Sequence, residues 1–400
     1  MNNTDTFKQR VIAEVDTLRD QLIQIADEIH ANPEIGFEEY KAAALLSHTL
    51  EKGGFAVERG VADLETAFVA SYPGGSSGPT VAILAEYDAL PGLGHACGHN
   101  IIAASALGAG LALKTVMPEL GGAIQVIGTP AEEGGGGKAI MVDAGVFDGV
   151  DAAMMVHPAG RNLVGRLSLT VYHIGIEFFG QAAHASSWPD KGINALDAII
   201  LTFTGINALR QHLRDDARIH GIITHGGDAP NIIPDYTAAK LYVRAADTPY
   251  AREVLEKVRA CAEGAALATG ARLEFTEYGP RYDARWPNPK LVELARLNME
   301  LLGLPVVVAS ADERMGSSDI GNVSQVVPTI HPYIAIGPED LVGHTPAFRE
   351  AAGSPRAHEG LISAAKTLAM TTVDLLVDPS NLAEATRTFE KKKQQESAQD

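Results

Sequence analysis

Four stretches of the chain gather residue types that bind metals or move protons: AEYDALPGLGHACGHN (Ala85 to Asn100), TPAEEGGGG (Thr129 to Gly137), VHP (Val156 to Pro158) and VGHTPAF (Val342 to Phe348). In the first, Cys97 and His99 flank Gly98, which is free to adopt whatever backbone both side chains require. Soft sulfur and borderline imidazole nitrogen suit zinc, and Glu133 and His157 stand where further ligands would be needed. Taken singly, a cysteine is a small core hydrophobe and a histidine after a strand is a hydrogen-bonded side chain. Taken jointly, they read as a ligand set. Glu132 and Glu133 are adjacent, so their carboxylates diverge along a turning backbone: one can bind a metal while the other serves as general base. The four glycines after them point to close backbone approach.

Two competing motifs fail on inspection. The segment ending GGGGK at Lys138 lacks Gly at 132 and Ser or Thr at 139, so it is not a phosphate-binding loop. Gly74-Gly75-Ser76-Ser77-Gly78 has the letters of a nucleophile elbow, but Pro79 and a following strand replace the required helix, and a hairpin turn is expected.

The elements that must position these residues follow from apolar periodicity. Val11, Val15, Leu18, Leu22, Ile25 and Ile29 recur every three or four residues, predicting one amphipathic helix that Asn32-Pro33 ends; Glu38 to Leu50 predicts a second. Short apolar runs at Phe68 to Ala70, Val81 to Leu84, Ile124 to Ile127 and Ala153 to Val156, with a helical stretch at Ala103 to Leu113, predict an α/β domain. Three of the four chemical stretches follow such strands, and in an open α/β sheet ligands collect beyond the strands' carboxyl ends. From Leu167 the pattern changes to strand, helix, two strands, helix and strand, the order of a ferredoxin-like module that Gly279-Pro280 and Trp286-Pro287 close. The expected organisation is a discontinuous catalytic α/β domain with a mixed sheet (1–166 and 288–400) interrupted by an α+β lid domain (167–287). A helix at Lys290 to Leu302, a strand at Val306 to Val308 and a helix at Ser354 to Leu376 should rejoin the first domain, and the polar tail from Glu390 should be frayed or disordered.

Composition excludes several classes of function. Among 400 residues, 32 Lys and Arg against 50 Asp and Glu give a formal charge of −18, which repels a phosphate backbone, so no nucleic-acid partner is expected. No stretch approaches 18 uninterrupted apolar residues, and the N-terminal segment lacks a basic region followed by an apolar one, so no membrane partner and a cytoplasmic location are expected. Two cysteines make no disulfide framework; Cys261, within an amphipathic helix, reads as a packed thiol.

HANPEIGFEE (His30 to Glu39), the four stretches above, AAHASSWPDKGINAL (Ala182 to Leu196) and PNIIPD (Pro230 to Asp235) together resemble the metal-dependent aminoacylase and N-acyl-amino-acid amidohydrolase family, in order along nearly the whole chain. The resemblance implies two zinc ions per chain, with manganese or cobalt as alternatives, bound by Cys97, His99, Glu133, His157 and His344. It implies Glu132 as general base, Asp88 as the group orienting a ligand, His184 as the stabiliser of a tetrahedral oxyanion, and Asn231 with Arg244 as the grip on a substrate carboxylate. It also implies a homodimer through the lid domain. Two positions depart from relatives: Asn100, where many carry Asp, and Glu86, where more distant exopeptidases carry a histidine ligand. No role beyond substrate contact is assigned to MGSSDIGN (Met315 to Asn322), and the remaining histidines share no spacing that makes a second site.

The function expected from the resemblance is hydrolysis of the amide bond of N-acyl amino acids, N-acyl-glutamine among them, by a metallo-amidohydrolase. A dipeptidase or an aminobenzoyl-glutamate hydrolase is the alternative within that class, and a non-catalytic metal- or small-molecule-binding protein is the alternative outside it. Glu132 separates the two classes, since a pure binding protein has no need of a base beside a ligand carboxylate.

Overall fold

The computed structural model describes residues 3–310 and 313–397, arranged as two compact units: residues 1–167 with 285–400, and Ser168–Ala284.

The first unit is built on a six-stranded sheet of β1 (Ala56–Arg59), β2 (Phe68–Pro73), β3 (Ser76–Ala85), β4 (Gly121–Gly128), β5 (Ala152–Met154) and β13 (Thr329–Ile330), in the order β1-β2-β4-β3-β5-β13. β4, β3 and β5 are adjacent and parallel, and from β3 the chain passes first to one neighbour and then to the other. That reversal opens a crevice at the strands' carboxyl ends, where residues 86–100, 129–137 and 155–158 begin. A smaller sheet joins β6 (His157–Ala159), β7 (Leu163–Val164), β12 (Val307–Val308) and β14 (Tyr333–Ala335).

Helices α1 (Asn3–Thr17), α2 (Arg19–Ala31), α3 (Tyr40–Lys52), α4 (His99–Lys114) and α11 (Pro355–Val377) pack into the core of this unit. The Ala, Leu and Gly-rich sequence of α4 leaves almost no residue exposed, which suits a helix enclosed between the sheet and its neighbours. Among the described residues, α11 is the one helix long and apolar enough to cross a membrane; 78% of its apolar window is buried inside the protein, as befits a core helix. Shorter helices α5 (Gly137–Asp143), α9 (Ile320–Val326) and α10 (Pro346–Ala352), with α8 (Pro289–Leu301), complete the unit.

The second unit runs β8 (Thr170–Phe179), α6 (Ala195–Leu209), β9 (Arg218–His225), β10 (Tyr236–Ala245), α7 (Thr248–Thr269) and β11 (Arg272–Glu277), an antiparallel sheet ordered β11-β8-β10-β9. Alternation along β8 buries Tyr172, Ile174, Ile176 and Phe178 against the two helices, giving this unit its own core. The β-α-β-β-α-β order is that of a ferredoxin-like module.

Three local expectations are corrected. The predicted single helix from 7 to 29 is two helices parted at Leu18, because both halves bury the same apolar stripe in one core and the pattern runs through the break. The polar tail is helical: α12 (Pro379–Ser397) is anchored by buried Ala385 and Phe389 and by Asn288 Nδ2 donating to the Ala385 carbonyl at 2.8 Å, while 398–400 lie outside the described residues. The predicted hairpin at 74–78 is absent, because β4 lies between β2 and β3. Gly74 and Gly75 instead step across the start of β4, their amides bonded to Gly122 and Leu120 carbonyls at 2.7 Å each.

A Cβ on Gly75 would stand 2.2 Å from the Pro118 carbonyl oxygen, whereas one on exposed Gly264 in α7 would meet nothing within 4 Å. Gly75→Ala should therefore cost about 1–3 kcal/mol. Gly264→Ala should stabilise by about 0.5–1 kcal/mol. Urea denaturation of both variants checks the crossing, and equal effects of the two would refute it.

Candidate metal centre

Each metal-binding candidate of the first unit sits on a strand end or a helix start. Cys97 and His99 bracket the beginning of α4, and the turn between them depends on Gly98, left-handed at φ +79°, where a Cβ would lie 2.5 Å from the Pro158 ring. Glu132 and Glu133 follow β4, His157 opens β6, and His344, at φ +62°, precedes α10 with its amide bonded to the Ala96 carbonyl at 2.9 Å.

The fold brings these residues together. Cys97, His99 and His157; Cys97, Glu133 and His344; and His99, Glu132 and Glu133 each place one donor atom per residue within 4.8 Å of the others. Cys97 Sγ lies 3.4 Å from His157 Nε2, and Glu133 Oε1 lies 3.2 Å from His344 Nε2. Cys97, His99 and Glu133 each recur in two of the three sets.

Hydrogen bonds fix which imidazole nitrogen faces the cluster. His99 Nδ1 lies 2.9 Å from the Asp88 carbonyl and 3.0 Å from Asp88 Oδ1; both only accept, so Nδ1 carries the proton and donates. His157 Nδ1 donates likewise to the Pro158 carbonyl at 2.7 Å. Both Nε2 atoms are thereby presented to the cluster, the usual way in which an outer carboxylate or carbonyl orients a metal-binding histidine. His99 Nε2 is buried and makes no hydrogen bond.

Charge around the cluster is unbalanced. Burial first, and then the charge of His99, push His157 down to about 3, so it is neutral. Burial also raises the Cys97 thiol, which in such surroundings ionises only against a cation. Glu132 is held far above the usual carboxylate range by burial, then by Glu133, Glu86 and Asp319. For His99, burial is outweighed by Asp88 and Cys97, leaving its pKa well above the ordinary value. Five acidic side chains (Glu86, Asp88, Glu132, Glu133 and Asp319) thus crowd around Lys138 and His99, and a divalent cation would relieve the repulsion that raises Glu132. The soft and borderline donor set, the oriented Nε2 atoms and this crowding of acids all fit a metal such as zinc.

Sequence reasoning missed the charged support beneath the ligands. Lys138, fully buried, lies 2.5 Å from Glu86 Oε1 and 2.9 Å from Asp319 Oδ1, and its amide donates to Asp319 Oδ2 at 2.9 Å. Glu86 Oε2 is 3.5 Å from His99 Nε2. Burial first, opposed by Lys138, raises Asp319 to about 6. The available signal was a lysine and an aspartate inside otherwise small or apolar segments, GGGGKAIM and GSSDIGN. His331, also missed, stacks edge-on to His157 with ring centres 5.3 Å apart and bonds the Arg285 guanidinium. Asn100 has a structural part: its Nδ2 donates to the Ala352 carbonyl at 3.0 Å and the Ala26 carbonyl at 3.3 Å.

The other three candidates lie in the second unit. His184 is exposed, and its Nδ1 accepts from the Ser186 and Ser187 amides at 3.3 Å each, which puts the neutral ring's proton on Nε2. Asn231 is exposed beside the bridge that joins His184 to Ile232. Arg244, on β10, is partly buried with its guanidinium 5.6 Å from the Tyr242 ring centre.

Comparison with known proteins places this geometry. The sequence pattern of peptidase family M20/M25/M40 matches residues 82–358. The chain is 37% identical to the mouse (Mus musculus) Xaa-Arg dipeptidase, over 98% of this chain and 94% of that protein. It is 32% identical to one of the subunits of the p-aminobenzoyl-glutamate hydrolase of Escherichia coli, over 92% and 91% respectively. A Bacillus subtilis structure described as a dinuclear metal binding peptidase from the M20 family superposes with a TM-score of 0.70 at 25% identity, covering 90% of this chain and 99% of that one.

Removing Lys138 leaves two buried carboxylates without their shared cation, so Lys138→Met should destabilise the protein by about 3–5 kcal/mol in urea denaturation. A loss below about 1 kcal/mol would show that the ammonium does not compensate them.

Proposed function

The chain belongs to peptidase family M20/M25/M40 and is a metal-dependent hydrolase of that family; from that premise we propose that it cleaves small amides joining an aminoacyl or acyl group to an amino acid with a free carboxylate, dipeptides before simple N-acyl amino acids. The observation that carries this reading is Glu132 beside Glu133 among the donors Cys97, His99, His157 and His344. The order of substrates follows the relatives: those with the higher identities are named for a dipeptide ending in arginine and for aminobenzoyl-glutamate, while an N-acetyl-L-cysteine deacetylase of Bacillus subtilis is 31% identical over 62% of this chain.

Zinc is the metal we assign, two per chain, held by Cys97, His99, Glu133, His157 and His344; the sharing of Cys97, His99 and Glu133 between donor sets supports two positions. A divalent metal there supplies Lewis acidity, polarising the amide carbonyl and making water a stronger nucleophile. The protein's own residues do the rest. Glu132 takes the proton of the attacking water and returns it to the leaving amine. Asp88 keeps the His99 ring fixed, with Nδ1 as the donor and Nε2 turned toward the other candidate ligands. We assign the His184 Nε2–H to the oxygen that becomes negative during attack, and Arg244 with Asn231 to the substrate carboxylate, for which a guanidinium offers a two-pronged donor.

We also propose a homodimer through the second unit. Its edge strand β9 is paired on one side only, and Ile222 and Ile223 on it are 65% and 43% exposed. Ile222→Lys should convert a dimer into a monomer in sedimentation analysis; an unchanged assembly would place the contact elsewhere.

Amino acid release should be measured on dipeptides with basic, acidic and neutral C-terminal residues and on their N-acetyl counterparts, before chelation, after it and after zinc is restored. Chelation should abolish turnover and zinc restore it. Glu132→Gln should lower kcat by about 10²–10⁴-fold while metal stays bound. Turnover by the chelated protein, or an active Glu132→Gln variant, would overturn the mechanism; N-acetyl amino acids outpacing every dipeptide would reverse the substrate order.

A further inference from the structure

Glu39 lies 92 residues before Ala131 in sequence and carries no metal-binding or catalytic assignment, yet it is fully buried against the turn that bears both acidic residues of the site. Its Oε1 accepts the Ala131 amide at 2.8 Å, and its Oε2 accepts the Thr66 hydroxyl at 2.9 Å. The Thr66 carbonyl in turn accepts the Tyr87 hydroxyl at 2.5 Å. Ala131 is left-handed at φ +58°, a conformation that a residue with a Cβ keeps only where its surroundings over-determine it. Two residues later the Glu133 amide donates to Asp88 Oδ2 at 2.9 Å, and the other oxygen of Asp88 holds His99. The turn is thus pinned at Ala131 and at Glu133, with Glu132 between the two pinned amides.

We infer that Glu39 is a positioning residue: by holding the Ala131 amide it fixes the turn that sends Glu132 and Glu133 in different directions. The Ala131 carbonyl accepts the Gly136 amide at 2.7 Å, so the same residue closes the turn on its far side. Without the carboxylate, the Ala131 N–H would be buried and unsatisfied, and the left-handed residue would relax toward ordinary backbone, rotating the two acidic side chains that follow. A carboxylate is not required for this part. An amide oxygen at the same place accepts the same N–H, and the amide's NH₂ can donate to the Thr66 hydroxyl.

The effect on Glu132 rests on the hydrolase reading above, whereas the effect on Glu133 is read by metal binding alone, which needs no substrate. Glu39→Gln and Glu39→Ala should be compared for zinc affinity, by competition with a chromophoric chelator, and for kcat and KM on a dipeptide that the wild type cleaves. Glu39→Ala should lose about tenfold in zinc affinity, as removal of outer support around a metal typically does. It should lose about a hundredfold in kcat, the scale of a 1 Å misplacement, with KM little changed. Glu39→Gln should stay within about threefold of wild type on each measure, since the acceptor is kept. Wild-type zinc affinity and kcat in Glu39→Ala would overturn the inference, as would equal damage by both substitutions. Should Glu39→Ala fail to fold, hydrogen exchange of the wild-type Ala131 amide decides: protection like that of core amides supports the role, and exchange within minutes refutes it. If no substrate is turned over by any variant, the zinc and exchange measurements still decide it.

Discussion

Everything at the carboxyl ends of β3, β4 and β5 answers to one electrostatic problem. Five acidic side chains are gathered where little water reaches, and isolated charge is expensive there. The protein answers part of it with its own ammonium: Lys138 lies between Glu86 and Asp319. The rest it leaves to the cations its donors invite. Deep burial of Lys138 is therefore a condition of the site, since it lets several acids crowd together while Glu133 and the thiol of Cys97 remain available as ligands.

Several of the candidate ligands are held in place by hydrogen bonds with neighbouring groups. Asp88 uses one oxygen on His99 and the other on the Glu133 amide, joining the turn after β3 to the turn after β4. Pro158 sets the His157 ring with its carbonyl and crowds Gly98 with its side chain. His99 and His157 are thus each aimed by a partner from their own segment, while the bond from Asp88 to the Glu133 amide ties the segment after β3 to the one after β4.

How much of this was legible in the sequence depended on range. Cys97, His99, Glu132, Glu133 and His157 could be placed together because each lies in a segment that leaves the carboxyl end of an apolar strand, and strand ends converge. The alternating pattern from Leu167 likewise exposed the ferredoxin-like order, since its elements are contiguous. Lys138, Asp319 and Glu39 could not be found in this way. Their partners lie 181 and 92 residues off, and a lone lysine or aspartate in a small or apolar segment does not say which distant group it pairs with. The misread hairpin has the same origin. The turn letters at 74–78 do mark a reversal, but which strand fills the space between β2 and β3 is settled by pairing with β4, some forty residues downstream.

The chain's route through the first unit bears on its synthesis. The second unit is one unbroken segment with its own core, whereas the first is completed only by residues that follow it. When Lys138 leaves the ribosome it can meet Glu86 at once, but Asp319 and His344 are still unmade. For that interval β5 lacks β13 beside it and the acidic pocket lacks two of its members, so the half-built unit presents an open sheet edge. Until α11 is made, the core it helps to fill stays incomplete, which is the kind of exposed apolar surface that larger chains must pass through while folding.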